Sequence, residues 1–152
     1  SPSLVWGDAA LLQNVLINLA INARDAMEGR PGSIRFTTRN TVIDADHPLR
    51  ESFGITPGDY VTIEVADRGP GLPAGSEERI FEKFYRASQG AKAGGVGLGL
   101  AICRAIAAAH DAQIEAANRA GGGAVFRVAF PVGGPQPSMP AEPPELAEAR
   151  PP

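Results

Sequence analysis

At 152 residues, 43% hydrophobic and 20% charged, the chain has the length and apolar content of one domain with a buried core. Its net charge of −3 and the lack of any basic block count against nucleic-acid binding, and no apolar run approaches the ~18 residues that a membrane span needs. The one cysteine, Cys103, excludes an internal disulfide and fits a reducing compartment. The N-terminus "SPSLVWGD" lacks the basic-then-apolar order of a leader, so a cytoplasmic domain without membrane contact is expected.

In chain order, residues 8–28 read as a helix, with Asp8 as N-cap and "GRPG" (29–32) as its stop. "SIRFTTRNTVI" (33–43) alternates and reads as a strand, followed by a polar loop over 44–59. "YVTIEVAD" (60–67) is a second strand, ended by "RGPG". "SEERIFEKFY" (76–85) predicts a short amphipathic helix, and "RASQGAKAGGVGLG" (86–99) a mobile, glycine-rich stretch. "LAICRAIAAAHD" (100–111) is helical, starting back toward Gly97. "AQIEAANR" (112–119) and "AVFRVAFP" (124–131) are strands joined by "AGGG". Eight of the 22 residues from Pro131 onward are proline, so the expected domain ends at 132 and a disordered tail occupies 133–152. Interleaved strands and helices predict a two-layer α/β sandwich with a mixed sheet.

The first helix carries asparagines at 14, 18 and 22, with Asp25 on the same edge. Leu12, Val15, Leu16, Leu19 and Ala23 fall in a stripe about 80° wide, the core face. The amides lie beside it, drifting roughly 40° per step, and Ile17 and Ile21 flank them on the far side. One reading is hydrogen bonding to a neighbouring strand or loop, since buried amides need partners. The other is a ligand site, where a neutral, hard carbonyl oxygen suits Mg²⁺ shared with phosphates. "DRGPG" reads as a tight turn, or as a carboxylate at a strand end placed to accept the exocyclic amine of adenine. "GGVGLGLAI" reads as loop and helix packing, or as backbone N–H groups and a helix N-terminus cradling phosphates. It is not a P-loop, because no Gly-Lys-Ser/Thr follows.

Taken together and in this order, these motifs resemble the catalytic, ATP-binding domain of sensor histidine kinases, within the superfamily that includes type II topoisomerases and mismatch-repair ATPases. "NLAINA" matches the N box, "DRGPG" the first glycine box, "FEKFY" the F box, "GVGLGL" the second glycine box and "GGGAVF" the last glycine-rich turn. The resemblance covers residues 5 to 132. "RIFEKFYRA", "GLGLAICRAI" and "IEAANR" look most like potassium-sensing kinases, and "NLAINARDAM" more like hybrid sensor kinases. It implies a Bergerat-type sandwich with helices on one face of the sheet, binding ATP and Mg²⁺. Carried over, Asn22 is the magnesium ligand and Asn18 a polar neighbour of the phosphates. Asp67 binds adenine, with Gly69 and Gly71 shaping the base pocket. Gly95, Gly97 and Gly99, with Leu98, form the phosphate-side hinge of a lid whose start Phe81 and Phe84 anchor. Arg86 and Lys92 meet the γ-phosphate.

The implied activity is transfer of the γ-phosphoryl group to a histidine. His47 and His110 lie outside the family's phosphoacceptor motif, so the acceptor belongs to a separate helical-hairpin domain of the same or a partner chain, and a response regulator lies downstream. Two departures from the family pattern stand out. The family's Lys-Tyr pair after the N box falls on Asp25 and Ala26, with Arg24 a partial substitute although about 160° from Asn22 on the wheel. "HDAQIEAA" stands where glycines usually follow the histidine. Cys103 and Trp6 are expected to pack, and His110 to cap a helix C-terminus. The alternatives are an ATPase that uses nucleotide to drive dimerisation, and a degenerate nucleotide-binding module. Such ATPases place a glutamate where Asn18 stands, to activate water.

Overall fold

The computed structural model describes residues 3–86 and 97–133. Its elements are α1 (Ala9–Ala26), β1 (Arg35–Ile43), α2 (Pro48–Phe53), β2 (Gly58–Ala66), a single 3₁₀ turn (Arg79–Phe81), α3 (Gly99–Ala109), β3 (Gln113–Asn118) and β4 (Ala124–Pro131). Among the described residues no helix is long and apolar enough to cross a membrane. Asp8 caps α1 as expected, its Oδ1 accepting from the Leu11 amide at 3.0 Å. The predicted stripe is the inner face: Val15, Leu19 and Ala23 are buried, Leu12 and Leu16 partly so.

The sheet order is β1-β2-β4-β3 and every neighbouring pair is antiparallel. The expected sandwich is present, but among the described strands the expected mixed pairing is not. The segment holding α3 does join two strands that run the same way, β2 and β3. However, β4 inserts between them, so the parallel pair never touches. Alternation then sorts the residues. Val65, Ile114, Ala116, Phe126, Val128 and Phe130 face α1 and α3 and share one core with Val15, Leu19, Cys103 and Ile106. The opposite face is largely polar. There Arg127 donates to Glu64 at 2.9 Å and to Glu115 at 3.0 Å. Burial works against its charge, but the two carboxylates outweigh this and raise its pKa.

The loop predicted for 44–59 contains α2, a six-residue helix with proline in its first turn and His47 as N-cap. Phe53 packs with Ile43, Tyr60 and Ala129, so one end of the back face is covered and the helices are not confined to one side. Conversely, the predicted helix over 76–85 is reduced to the 3₁₀ turn. Ile80 and Phe81, adjacent in that turn, are both buried. Phe81 meets Phe126 edge-on, with centroids 6.4 Å apart.

The end of α3 resolves the missing-glycine question. Asp111 adopts the left-handed conformation itself (φ 53°), and the Ala112 amide closes the helix on the Ala107 carbonyl at 2.9 Å. His110 is buried. Its Nδ1 donates to the Ile106 carbonyl at 2.8 Å and its Nε2 accepts from the Asp8 amide at 3.0 Å, so it ties the two helices together as well as capping one. Trp6, expected to pack, is mostly exposed.

Candidate functional site

Three segments converge at one end of the sandwich: the second half of α1, the loop after β2, and the start of α3. The polar column of α1 grades inward, with Asn14 exposed and Asn18 and Asn22 half-buried. Asn22 Nδ2 donates to the Asn18 backbone carbonyl at 2.9 Å. Spending the nitrogen this way leaves the carbonyl Oδ1 as the acceptor of this side chain. A β-carbon built on Gly99 would meet Asn18 Oδ1 at 3.6 Å and Asn22 Nδ2 at 3.9 Å, so both amides lie against the first turn of α3. The Cys103 thiol donates to the Val15 carbonyl at 3.8 Å; burial pushes its pKa up to about 11, an effect that the Asn18 side chain partly offsets.

Around that turn the backbone is built for close approach. Leu98 precedes α3 with no side-chain cap. The first intrahelical bond runs from the Ile102 amide to the Leu98 carbonyl, which leaves the amides of Gly99, Leu100 and Ala101 without helical acceptors. Gly97 has φ 76°, and a β-carbon there would lie 2.9 Å from Phe84 C and from the Tyr85 carbonyl oxygen. The Phe84 amide donates to the Gly97 carbonyl at 2.9 Å. Of the two predicted lid anchors, Phe81 is in the core and held under the Arg104 guanidinium, 4.8 Å from its ring. Phe84 instead exposes its ring and takes φ 65°, so it contributes through its backbone. Arg86 is exposed. Lys92 and Gly95 lie outside the described residues.

Asp67 is 2% exposed at the end of β2. One carboxylate oxygen, Oδ1, accepts from the Gly69 amide at 2.8 Å and the Ala124 amide at 3.2 Å. Among the described residues no donor reaches Oδ2. The Asp67 carbonyl accepts from Arg119 Nη1 at 2.5 Å, and its amide donates to the Ala124 carbonyl at 3.0 Å. The two glycines after it have structural work. A β-carbon on Gly69 would lie 3.0 Å from the Ala26 carbonyl oxygen, and one on Gly71 (φ 82°) would lie 2.6 Å from Asn118 Oδ1. Each therefore makes room for protein.

Sequence reasoning missed the contribution of the β3–β4 hairpin. Asn118, Arg119, Gly123 and Ala124 all grip the Asp67 loop, and Gly123 is so close that a β-carbon would overlap the Asp67 carbonyl. The available signals were the strand-end "NR" and the glycine turn, which look like ordinary hairpin chemistry. Arg24, considered as a substitute for the family's lysine, is instead paired with Asp25 at 2.9 Å in an exposed bridge. A cavity of about 670 Å³ beside α2, lined by His47, Arg50 and Glu51, is remote from these groups. One of about 180 Å³ between Met27, Arg30, Arg68 and Gly69 adjoins them.

Comparison with known proteins agrees with this arrangement. The family described as histidine kinase-, DNA gyrase B- and HSP90-like ATPases matches residues 7–134, and the chain belongs to it. The sensor protein KdpD of Escherichia coli is 40% identical over 129 residues, covering 85% of this chain and 12% of that protein. The probable sensor histidine kinase TcrY of Mycobacterium tuberculosis is 38% identical over 138 residues, 90% of this chain and 25% of its own. The chain thus spans an eighth to a quarter of these curated relatives. Among solved structures, the mycobacterial sensor histidine kinase MprB superposes with a TM-score of 0.64 at 25% identity, over 91% of this chain and 81% of that one. Full-length ShkA in complex with AMPPNP superposes at 0.62 with 29% identity, over 86% and 23%. The chain is a histidine kinase-type ATPase domain with the family's sandwich fold.

Proposed function

We propose that this domain binds Mg-ATP and donates the γ-phosphoryl group to a histidine on a separate helical-hairpin phosphoacceptor domain, in two-component signalling with a response regulator downstream. The observation that carries the proposal is the convergence of Asn18 and Asn22 on the uncapped start of α3, with the Asp67 carboxylate at the neighbouring strand end. Asp67 accepts the adenine amine through Oδ2, while Oδ1 stays bound to the protein. The Gly99, Leu100 and Ala101 amides, with the Leu98 turn, receive the phosphates. Gly97 lets the chain come close there, Gly95 belongs to the same proposed hinge, and Arg86 and Lys92 meet the γ-phosphate.

Asn22 suits magnesium on its own chemistry. Its Nδ2 is committed to a carbonyl, and the remaining Oδ1 is a neutral hard oxygen. When bound, the ion would neutralise charge on the phosphates. In the transfer, a lone pair on a neutral imidazole forms the new N–P bond as the β,γ-bridging O–P bond breaks and ADP leaves. Attack needs no prior deprotonation, so positioning and charge neutralisation suffice. Asn18 cannot serve as a base, which separates this domain from ATPases with a water-activating carboxylate. Titrating a non-hydrolysable ATP analogue with and without Mg²⁺ tests the assignment. Asn22→Ala should remove the metal-dependent part of the affinity. Equal affinity of the parent with and without Mg²⁺ would refute the metal role.

A further inference from the structure

The loop that carries Asp67 is held at its far end by one side chain. Asn118, the last residue of β3, accepts from the Leu72 amide through Oδ1 at 2.6 Å and donates to the Leu72 carbonyl through Nδ2 at 3.0 Å. The two atoms of its amide thus pair with Leu72 as a neighbouring strand's backbone would, in a segment that has no strand of its own. Among the described residues these are the side-chain bonds that restrain Leu72. Gly71 must be small because this amide occupies the space where its β-carbon would point. Five residues upstream the same hairpin grips Asp67 through Arg119, Gly123 and Ala124.

We infer that Asn118 is a positioning residue for base recognition, pinning the Asp67–Leu72 loop so that the free carboxylate oxygen of Asp67 holds a fixed aim. The inference rests on the proposed reading of Asp67 as the adenine acceptor. Its logic is preorganisation: an acceptor on a loop that wanders discriminates poorly between an exocyclic amine and the carbonyl that guanine presents at the corresponding position. Asn118 touches neither the base nor the phosphates in this account. Its removal should therefore lower base discrimination without altering the phosphate-side contacts.

The test measures ATP and GTP affinity of the full 152-residue chain and three variants. In Asn118→Ala, ATP affinity should fall about tenfold, as expected for two lost hydrogen bonds, GTP affinity should hardly change, and the ATP:GTP ratio should shrink accordingly. Asn118→Asp keeps the acceptor for the Leu72 amide but sets an anion against the Leu72 carbonyl. It should also lose discrimination, and it serves if the alanine variant does not fold. Asp67→Asn separates the two claims, because it should lose discrimination whatever Asn118 does. If Asp67→Asn loses discrimination and both Asn118 variants retain it, the positioning role is wrong and the Asp67 reading stands. If Asp67→Asn retains discrimination, both fall. A parallel loss of ATP and GTP affinity in the Asn118 variants would mark a merely structural role and overturn the inference.

Discussion

The two ends of the proposed nucleotide site, one assigned to the base and one to the phosphates, are built to different rules. At the base end, Asp67 is fixed from every side: two amides on Oδ1, a guanidinium and a glycine against its carbonyl, and Asn118 holding the loop beyond it. At the phosphate end, α3 begins without a side-chain cap, and a backbone bond from Phe84 to Gly97 joins it to the segment before. A group that must discriminate has to be in position before the ligand arrives, so one Asp67 oxygen and its carbonyl are spent on the protein while the other oxygen stays open. A group that must neutralise charge is more useful with its amides uncommitted.

The largest effect should come from the base end. Asp67→Asn retains an oxygen for the two backbone amides but points a donor at the adenine amine, so ATP affinity should fall at least tenfold with the fold intact. Asp67→Ala should lose that affinity and also stability, because it strands two buried amides at about 1–3 kcal/mol each. Calorimetry and thermal melts of the pair would separate the two effects. Next is Gly123→Ala, which forces a left-handed residue into the Asp67 carbonyl. A loss of about 2 kcal/mol or more is expected, and an unchanged melting temperature would show that the hairpin does not clamp the loop. Gly97→Ala meets the same left-handed strain and a milder backbone clash, at 2.9 Å from Phe84 C and the Tyr85 carbonyl oxygen, and should cost about 1–2 kcal/mol.

Between the two ends, the Cys103 thiol of α3 is buried against α1, where it donates to the Val15 carbonyl. Its pKa rises from the ordinary 9.0 to about 11 because burial disfavours the thiolate. The folded state therefore keeps this contribution in full below pH 9 and loses it as pH climbs through 9 to 11. The loss can reach about 2–3 kcal/mol. Cys103→Ala should flatten that part of the stability profile. The smallest effect should be Arg24→Ala, which breaks an exposed bridge worth under about 0.5 kcal/mol and should leave nucleotide affinity unchanged.

The sequence exposed what depends on local pattern. The core stripe of α1, the Asp8 cap, all four strands and the asparagine column were legible because period and spacing encode them. What it hid depends on contacts between distant segments. The 3₁₀ turn puts Ile80 and Phe81 against Phe126 and α3, contacts that the local pattern does not announce. α2 is too short to show a period. The antiparallel pairing follows from β4 entering between β2 and β3, which no local signal announces. At the site, Gly71 read as room for a ligand, whereas the nearest atom to a β-carbon there is Oδ1 of Asn118, on the distant β3 strand. Arg24 read as a possible phosphate contact, whereas it is paired with the residue beside it.

The central claim is that the domain holds ATP for transfer and lacks the means to hydrolyse it quickly. The direct measurement is release and transfer of label from γ-labelled ATP by the chain alone, and with histidine-bearing hairpins from related sensor kinases. The account predicts slow release alone, label on the histidine when a matching hairpin is present, and loss of that label in Asn22→Ala. Because a missing general base costs about 10²–10⁴-fold, Asn18→Glu is the variant in which faster release can appear. Hydrolysis by the unmodified chain at the rate of a dedicated ATPase, with no label reaching any hairpin, would contradict it.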